Sequence, residues 1–124
     1  MFNTATFTVP ANTNIHIDGF FSAGWVQQIV VESPAGKQTW TSTANSNNTL
    51  AGQIQFKTGN AEATVSVQMS YMLQGDYAPS TVVKIPLTDP ALQGYVIGGQ
   101  DGGPRPTGPA AINTVVLAFW AAKY

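Results

Sequence analysis

A glycine- and proline-rich segment near the carboxyl end contains the residues best suited to form a site. Residues 98–109 include five glycines and three prolines, and their charged side chains are Asp101 and Arg105. Glycine permits positive φ and lets a ligand approach the backbone closely, whereas proline fixes φ and removes a donor. The segment is therefore predicted to be a shaped loop, and it is the first candidate for a binding site.

Two β-prone runs flank this loop and must position it. Tyr95–Ile97 is a short apolar run before the loop, and Ile112–Trp120 is a longer run after it. Within the second run, Val115–Trp120 is apolar on both alternating faces. Such a strand is expected in the centre of a sheet or at a subunit interface.

Alternation of apolar and polar residues dominates the rest of the chain. Residues 63–71 alternate without interruption, and residues 33–36 (Ser-Pro-Ala-Gly) give a strong hairpin signal. Short strands recur at roughly 8–12-residue spacing and no window keeps a 3.6-residue period, which predicts an all-β sandwich or barrel. Residues 74–79 are predicted to be a loop.

Composition narrows the classes of function. The 124 residues suit a single domain, 1–124, with 9 % charged residues and a net charge of −1. Five scattered basic residues argue against nucleic-acid binding. Cysteine is absent, and no apolar run approaches the ~20 residues of a membrane-spanning helix. The first residues lack the pattern of a secretory signal, so we expect a cytoplasmic protein or one released by a non-classical route.

Catalysis has the least support from the sequence. His16 is the only histidine, and its position two residues before Asp18 favours an exposed ion pair on a strand face. No nucleophile-elbow motif, glycosidase-like acidic pair or phosphate-binding loop is present. We therefore expect a protein that is not an enzyme.

Several segments together carry a resemblance to a known family. They are residues 7–13 (Phe-Thr-Val-Pro-Ala-Asn-Thr), 42–48 with Gly52, and 63–69. Further along the chain they are Pro79-Ser80 with Val82-Val83, residues 97–102, and Asn113 with Val115, Val116 and Trp120. In this order the chain resembles the soluble bacterial lectins that bind fucose and mannose through two calcium ions. The resemblance implies an antiparallel β-sandwich of about nine strands, usually dimeric or tetrameric.

The resemblance also implies where this chain departs from the family's metal site. Gln100 stands where the first calcium-binding Glu would be, Thr114 replaces an Asp, and Ser22 replaces an Asn. Asn113 matches a ligand, but Asp101 matches a residue that touches sugar. Because Ca²⁺ requires six to eight oxygen ligands, we expect calcium binding to be lost and no cofactor to be needed.

A sugar can still be held by an aromatic face and by planar amides or carboxylates. Trp25 corresponds, by the resemblance, to the loop that selects the sugar. The hypothesis is a remodelled glycan site in a multivalent homo-oligomer, formed by Trp25, Gln100, Asp101, Arg105 and Asn113. A competing interpretation has Phe20, Phe21 and Trp25 capping the core, with Trp40 and Trp120 as core or interface residues.

Two other classes of function stay open at this point. In the first, Phe20, Phe21 and Trp25 form an exposed aromatic tip of a membrane-active or toxin-associated module that meets lipid only peripherally. In the second, the chain is a structural or assembly protein that has lost sugar binding.

Overall fold

The computed structural model of this chain describes residues 3–101 and 112–121. These residues form ten β-strands. In chain order the strands are β1 (Thr4–Val9), β2 (Asn14–Ala23), β3 (Gln27–Ser33), β4 (Gly36–Thr41), β5 (Ser46–Lys57), β6 (Ala63–Leu73), β7 (Asp76–Pro79), β8 (Thr81–Thr88), β9 (Leu92–Gln100) and β10 (Thr114–Ala121).

The strands form two antiparallel sheets. The first sheet has the order β1-β6-β3-β4, with β7 also paired to β6, and the second has the order β5-β2-β10-β9-β8. One buried cluster draws side chains from both sheets, which establishes a sandwich rather than a barrel. The described part of the chain contains no helix of the length and apolarity needed to cross a membrane.

One strand more than expected is present, because residues 74–79 do not form a loop throughout. Gln74 and Gly75 have φ of 52° and 89°, and the residues on either side of them, Leu73 and Asp76, pair with each other. Positive φ at both central residues suits a two-residue hairpin turn. Residues Asp76–Pro79 therefore return along β6 as strand β7.

The sandwich core follows the alternation seen in the sequence. In β6 the inward residues Val65, Val67 and Met69 are fully buried. In the second sheet β10 lies between β2 and β9, and its residues Val116 and Ala118 are equally buried. The central position expected for the last strand is confirmed.

Two tryptophans predicted to pack in the core or at an interface do pack against the core. Trp120 is 6 % exposed, and Trp40 reaches from edge strand β4 onto the core cluster. The Trp40 indole lies so close to Gly19 of β2 and Gly52 of β5 that a Cβ atom at either glycine would overlap it. These two glycines make room for a side chain that joins one sheet to the other.

Candidate functional site

Three connections meet at one end of the sandwich. The Ser22 amide donates to the Asn113 carbonyl oxygen (2.8 Å), and the Asn113 amide donates to the Gly99 carbonyl oxygen (2.8 Å). The Asn45 amide donates to the Gly24 carbonyl oxygen (2.9 Å). The β2–β3 turn therefore lies between the β4–β5 turn and the residues that flank the glycine- and proline-rich loop.

Gln27, the first residue of β3, is the centre of a buried hydrogen-bond network at this end. Its side-chain Nε2 donates to Asp101 Oδ2 (2.9 Å) and to the Trp25 carbonyl oxygen (3.3 Å). Its Oε1 accepts from Thr114 Oγ1 (2.9 Å), and its backbone amide donates to Ser42 Oγ (2.7 Å). Gln27 is 1 % exposed, so this side chain is fixed in place by its neighbours.

Asp101 carries the negative charge of the site. Its backbone amide donates to Asn113 Oδ1 (3.1 Å), and its Oδ2 accepts the Gln27 hydrogen bond. Its Oδ1 is shielded from water and has no hydrogen-bond partner among the described residues. Burial raises the pKa of the carboxyl above its ordinary value, and the Gln27 hydrogen bond offsets part of that rise.

Trp25 supplies an aromatic surface at the same end of the sandwich. The indole stacks on Tyr71 of β6, with ring centroids 5.5 Å apart and an interplanar angle of 18°. The residue is nevertheless 50 % exposed. Because one Gln27 nitrogen donates to both residues, the Trp25 carbonyl oxygen and the Asp101 carboxylate lie close to each other.

The structure brings together three of the five residues proposed from the sequence. Trp25, Asp101 and Asn113 are connected through hydrogen bonds at this end of the fold. Gln100 ends strand β9 as a buried residue, 5 % exposed. Arg105 lies outside the described residues.

Gln27 was missed by the sequence interpretation, although a signal was available. It occupies an inward position of β3, in register with the buried residues Ile29 and Val31 on the same face. A polar side chain at such a position requires hydrogen-bond partners. Those partners are distant in the chain and become visible only once strands are paired.

The three-residue aromatic tip expected of a membrane-active module does not form. Phe21 is 2 % exposed and belongs to the core cluster. Phe20, its neighbour in β2, points to the other face of the sheet and is 37 % exposed. Alternation along the strand separates the two rings, so that part of the membrane hypothesis is wrong. Phe21 instead supports the interpretation of a capped core.

The predicted ion pair of the single histidine is replaced by a ring contact. The His16 imidazole stacks on Phe119 of the neighbouring strand β10, with centroids 5.1 Å apart.

Among the residues that the structure describes, no three His, Cys, Asp or Glu side chains are grouped so that they could hold a metal ion.

A cavity of about 190 Å³ lies at the opposite end of the sandwich. Its lining is Pro10, Thr13, Gln93, Trp120 and Ala121. These residues come from the β1–β2 turn, the start of β9 and the end of β10. The described lining residues carry no charge and do not belong to the Gln27 network, so we place the candidate site at the Trp25 end.

Comparison with known proteins identifies a family. The family model described as fucose-binding lectin II (PA-IIL) matches residues 7–105. No curated protein sequence is recognisably similar to the chain.

Solved structures of three bacterial lectins share the fold. A Chromobacterium violaceum lectin in complex with α-methyl-fucoside has a TM-score of 0.63 at 17 % identity, and a Ralstonia solanacearum high-affinity mannose-binding lectin has 0.63 at 22 %. The C-terminal domain of a Burkholderia cenocepacia lectin has 0.58 at 17 %. Each comparison covers 95 % of this chain and 96 % of the other. At this identity the likeness concerns the fold.

Proposed function

Because this chain belongs to the fucose-binding lectin II (PA-IIL) family, we propose that it is a non-catalytic carbohydrate-binding protein. The observation that carries the proposal is one Gln27 amide that donates both to the Asp101 carboxylate and to the backbone carbonyl oxygen of Trp25, whose side chain is half exposed. An aromatic face and a hydrogen-bond acceptor are the two groups that a sugar ring requires.

The physical basis is the two-sided character of a sugar. Its C–H face packs on an aromatic ring, and its hydroxyl groups form hydrogen bonds with planar acceptors and donors. Stacking on Tyr71 holds one face of Trp25 and fixes the ring plane. Asp101 Oδ1 has no partner among the described residues and is shielded from water, so a sugar hydroxyl that bonds to it must displace the groups that cover it.

The oxygen donors at this site do not fit calcium. Among the residues of the network Asp101 is the single carboxylate, and its Oδ2 already accepts from an amide N–H. Thr114 Oγ1 donates its proton to Gln27, and Asn113 Oδ1 accepts from the Asp101 backbone. Residues 102–111 contain no Asp or Glu. Since Ca²⁺ takes six to eight oxygen ligands, usually several of them charged, sugar binding here is calcium-independent.

A homo-oligomer that combines several weak sites fits the outer surface of the second sheet. Strands β8 and β10 direct apolar side chains outward, and Val83 and Ile85 are 44 % and 56 % exposed. Strands β1 and β6 of the first sheet direct Thr, Ser and Gln outward instead. This asymmetry supports association through the second sheet, and association would add avidity to individually weak contacts.

The test is titration calorimetry of the purified protein with methyl α-fucoside and with mannose, in calcium and in chelator. We expect binding of at least one sugar, unchanged by chelator. Trp25→Ala should weaken that binding about 2- to 13-fold, which corresponds to the roughly 0.5–1.5 kcal/mol of an aromatic contact. Trp25→Phe should retain most of the affinity.

The matched control is Leu92→Ala, an exposed apolar residue (41 %) at the far end of the sandwich. It should leave the affinity unchanged. Absence of binding to every sugar in both buffers would overturn the carbohydrate proposal, and binding in calcium alone would overturn calcium independence. Sedimentation of the same preparation should give a dimer or a larger assembly.

A further inference from the structure

The orientation of the Gln27 side-chain amide follows from its surroundings. On one side it meets two acceptors, Asp101 Oδ2 and the Trp25 carbonyl oxygen, so this side must carry the two N–H donors. On the other side the Thr114 hydroxyl donates to Oε1. The reverse orientation would place an amide oxygen against two acceptor oxygens, so chemistry selects a single arrangement.

Each polar group of Gln27 has a partner. The backbone amide donates to Ser42 Oγ, and the backbone carbonyl oxygen accepts from the Ser42 amide. The two side-chain N–H groups and Oε1 account for the rest. A buried amide with all its hydrogen bonds formed is rigid, whereas packing alone would be served by an apolar residue such as those that follow it on β3.

We propose that Gln27 is the positioning residue of the sugar site and sets the spacing between its aromatic surface and its acceptor. The Gln27 side-chain nitrogen connects the backbone of Trp25 to the carboxylate of Asp101. The Thr114 hydroxyl donates to the oxygen of the same amide and fixes its orientation. The inference rests on the proposed carbohydrate-binding function and assigns a role within that site.

In this arrangement the two oxygens of the Asp101 carboxylate have different surroundings. Its Oδ2 accepts from Gln27, while Oδ1 has no partner among the described residues and is shielded from water, so a ligand donor reaches it only by displacing the groups that cover it. Without the amide the carboxylate is free to rotate, and the distance from Oδ1 to the indole face is no longer fixed. A misplacement of about 1 Å in a positioned group is sufficient to cost two orders of magnitude in an active site, and a binding site is expected to show a smaller loss of the same kind.

The experiment compares Gln27→Met and Gln27→Glu with Gln28→Met. Methionine has similar length without the hydrogen bonds, and Gln28 is the next residue on the opposite face of β3. Methyl α-fucoside and mannose titrations should show at least 10-fold weaker binding for Gln27→Met. Gln28→Met should bind as the unmodified protein does.

Gln27→Glu supplies the measurement that a purely structural role would not change. A protonated Glu donates O–H to Asp101 as the amide does, so binding should be retained near pH 4. As the pH rises and the second carboxyl group of the pair loses its proton, the two negative charges repel each other, so the affinity should fall. Among the described residues, Asp101 and Tyr71 on the neighbouring strand β6 are the titratable side chains next to this position.

Each outcome is decisive. Sugar binding by the unmodified protein together with unchanged affinity in Gln27→Met would overturn the positioning role and leave the proposed function intact. A Gln27→Glu affinity that follows the unmodified protein across the pH series would overturn it equally, and this variant answers the question if Gln27→Met does not fold. Absence of sugar binding by the unmodified protein would overturn both proposals.

Discussion

The contact between Trp40 and two glycines makes a quantitative prediction about stability. A Cβ atom at Gly19 would lie 2.7 Å from Trp40 Cζ3 and 2.9 Å from Cε3, whereas carbon atoms prefer about 3.5–4.0 Å. The overlap is therefore roughly 1 Å against a ring that already packs on the core. Overpacking of this kind costs about 1–3 kcal/mol.

An opposing term must be subtracted from this cost. Alanine restricts the unfolded chain more than glycine does. Where the backbone conformation suits alanine, this raises the free energy of unfolding by about 0.4–1 kcal/mol. Gly19 does not have positive φ, so that gain applies. Gly19→Ala should then lower the free energy of unfolding by about 1–2 kcal/mol. The melting temperature should fall by about 3–10 °C for a chain of this size.

The assay is thermal unfolding of a double-mutant cycle that includes Trp40→Leu. With the indole removed, Gly19→Ala should be neutral or slightly stabilising, which gives a coupling energy of about 1–3 kcal/mol. Gly59→Ala is the matched control, because a Cβ there meets nothing within 4 Å and the residue lacks positive φ. Equal destabilisation by Gly19→Ala in both backgrounds would refute the steric argument.

Two further predictions concern the network at the candidate site. Thr114→Val removes the hydroxyl that donates to Gln27 Oε1 and should lower the free energy of unfolding, measured in urea, by about 1–3 kcal/mol. The control is Thr8→Val at an exposed strand position, and an equal destabilisation by that substitution would contradict the prediction. Burial raises the pKa of the Asp101 carboxyl in the folded protein above its ordinary value of 3.8. The folded state therefore binds this proton more tightly than the unfolded state does, and the free energy of unfolding falls as the pH rises from the unfolded-state pKa through the folded-state pKa. Asp101→Asn removes that loss, so its melting temperature relative to the unmodified protein should increase from about pH 3 to pH 7, and parallel curves would count against the assignment.

The fold could be predicted from the sequence because strand alternation is a local signal. The alternation within five residues predicts that Val65, Val67 and Met69 lie on the same face of a strand, and all three are buried in the structure. The exception is β7, whose hairpin turn depends on positive φ at Gln74. A non-glycine residue at positive φ leaves no clear signal in the sequence, so the sequence predicts a loop over residues 74–79 where the structure has a turn and strand β7.

The candidate site was less predictable because its central residue acts over long distances in the chain. Asp101 and Asn113 could be proposed, since they flank one conspicuous loop. Gln27 reaches partners 74 and 87 residues away, and nothing local in β3 shows which strands those partners occupy. Sequence alone identifies a polar residue on an apolar face, and only the strand order supplies its partners.

The two sheets contribute different parts of this site, and that has a physical consequence. Gln27 belongs to the first sheet, whereas Thr114 begins the central strand of the second and Asp101 follows strand β9 of the same sheet. The hydrogen bonds that position the carboxylate therefore cross the interior of the sandwich, as the Trp40 contact with Gly19 and Gly52 does. Sheet-to-sheet packing thus sets the position of the Asp101 carboxylate relative to the Trp25 carbonyl oxygen, because Gln27 donates to both. A core substitution that shifts one sheet against the other will weaken sugar binding before it unfolds the protein, because hydrogen bonds tolerate less displacement than apolar contacts do.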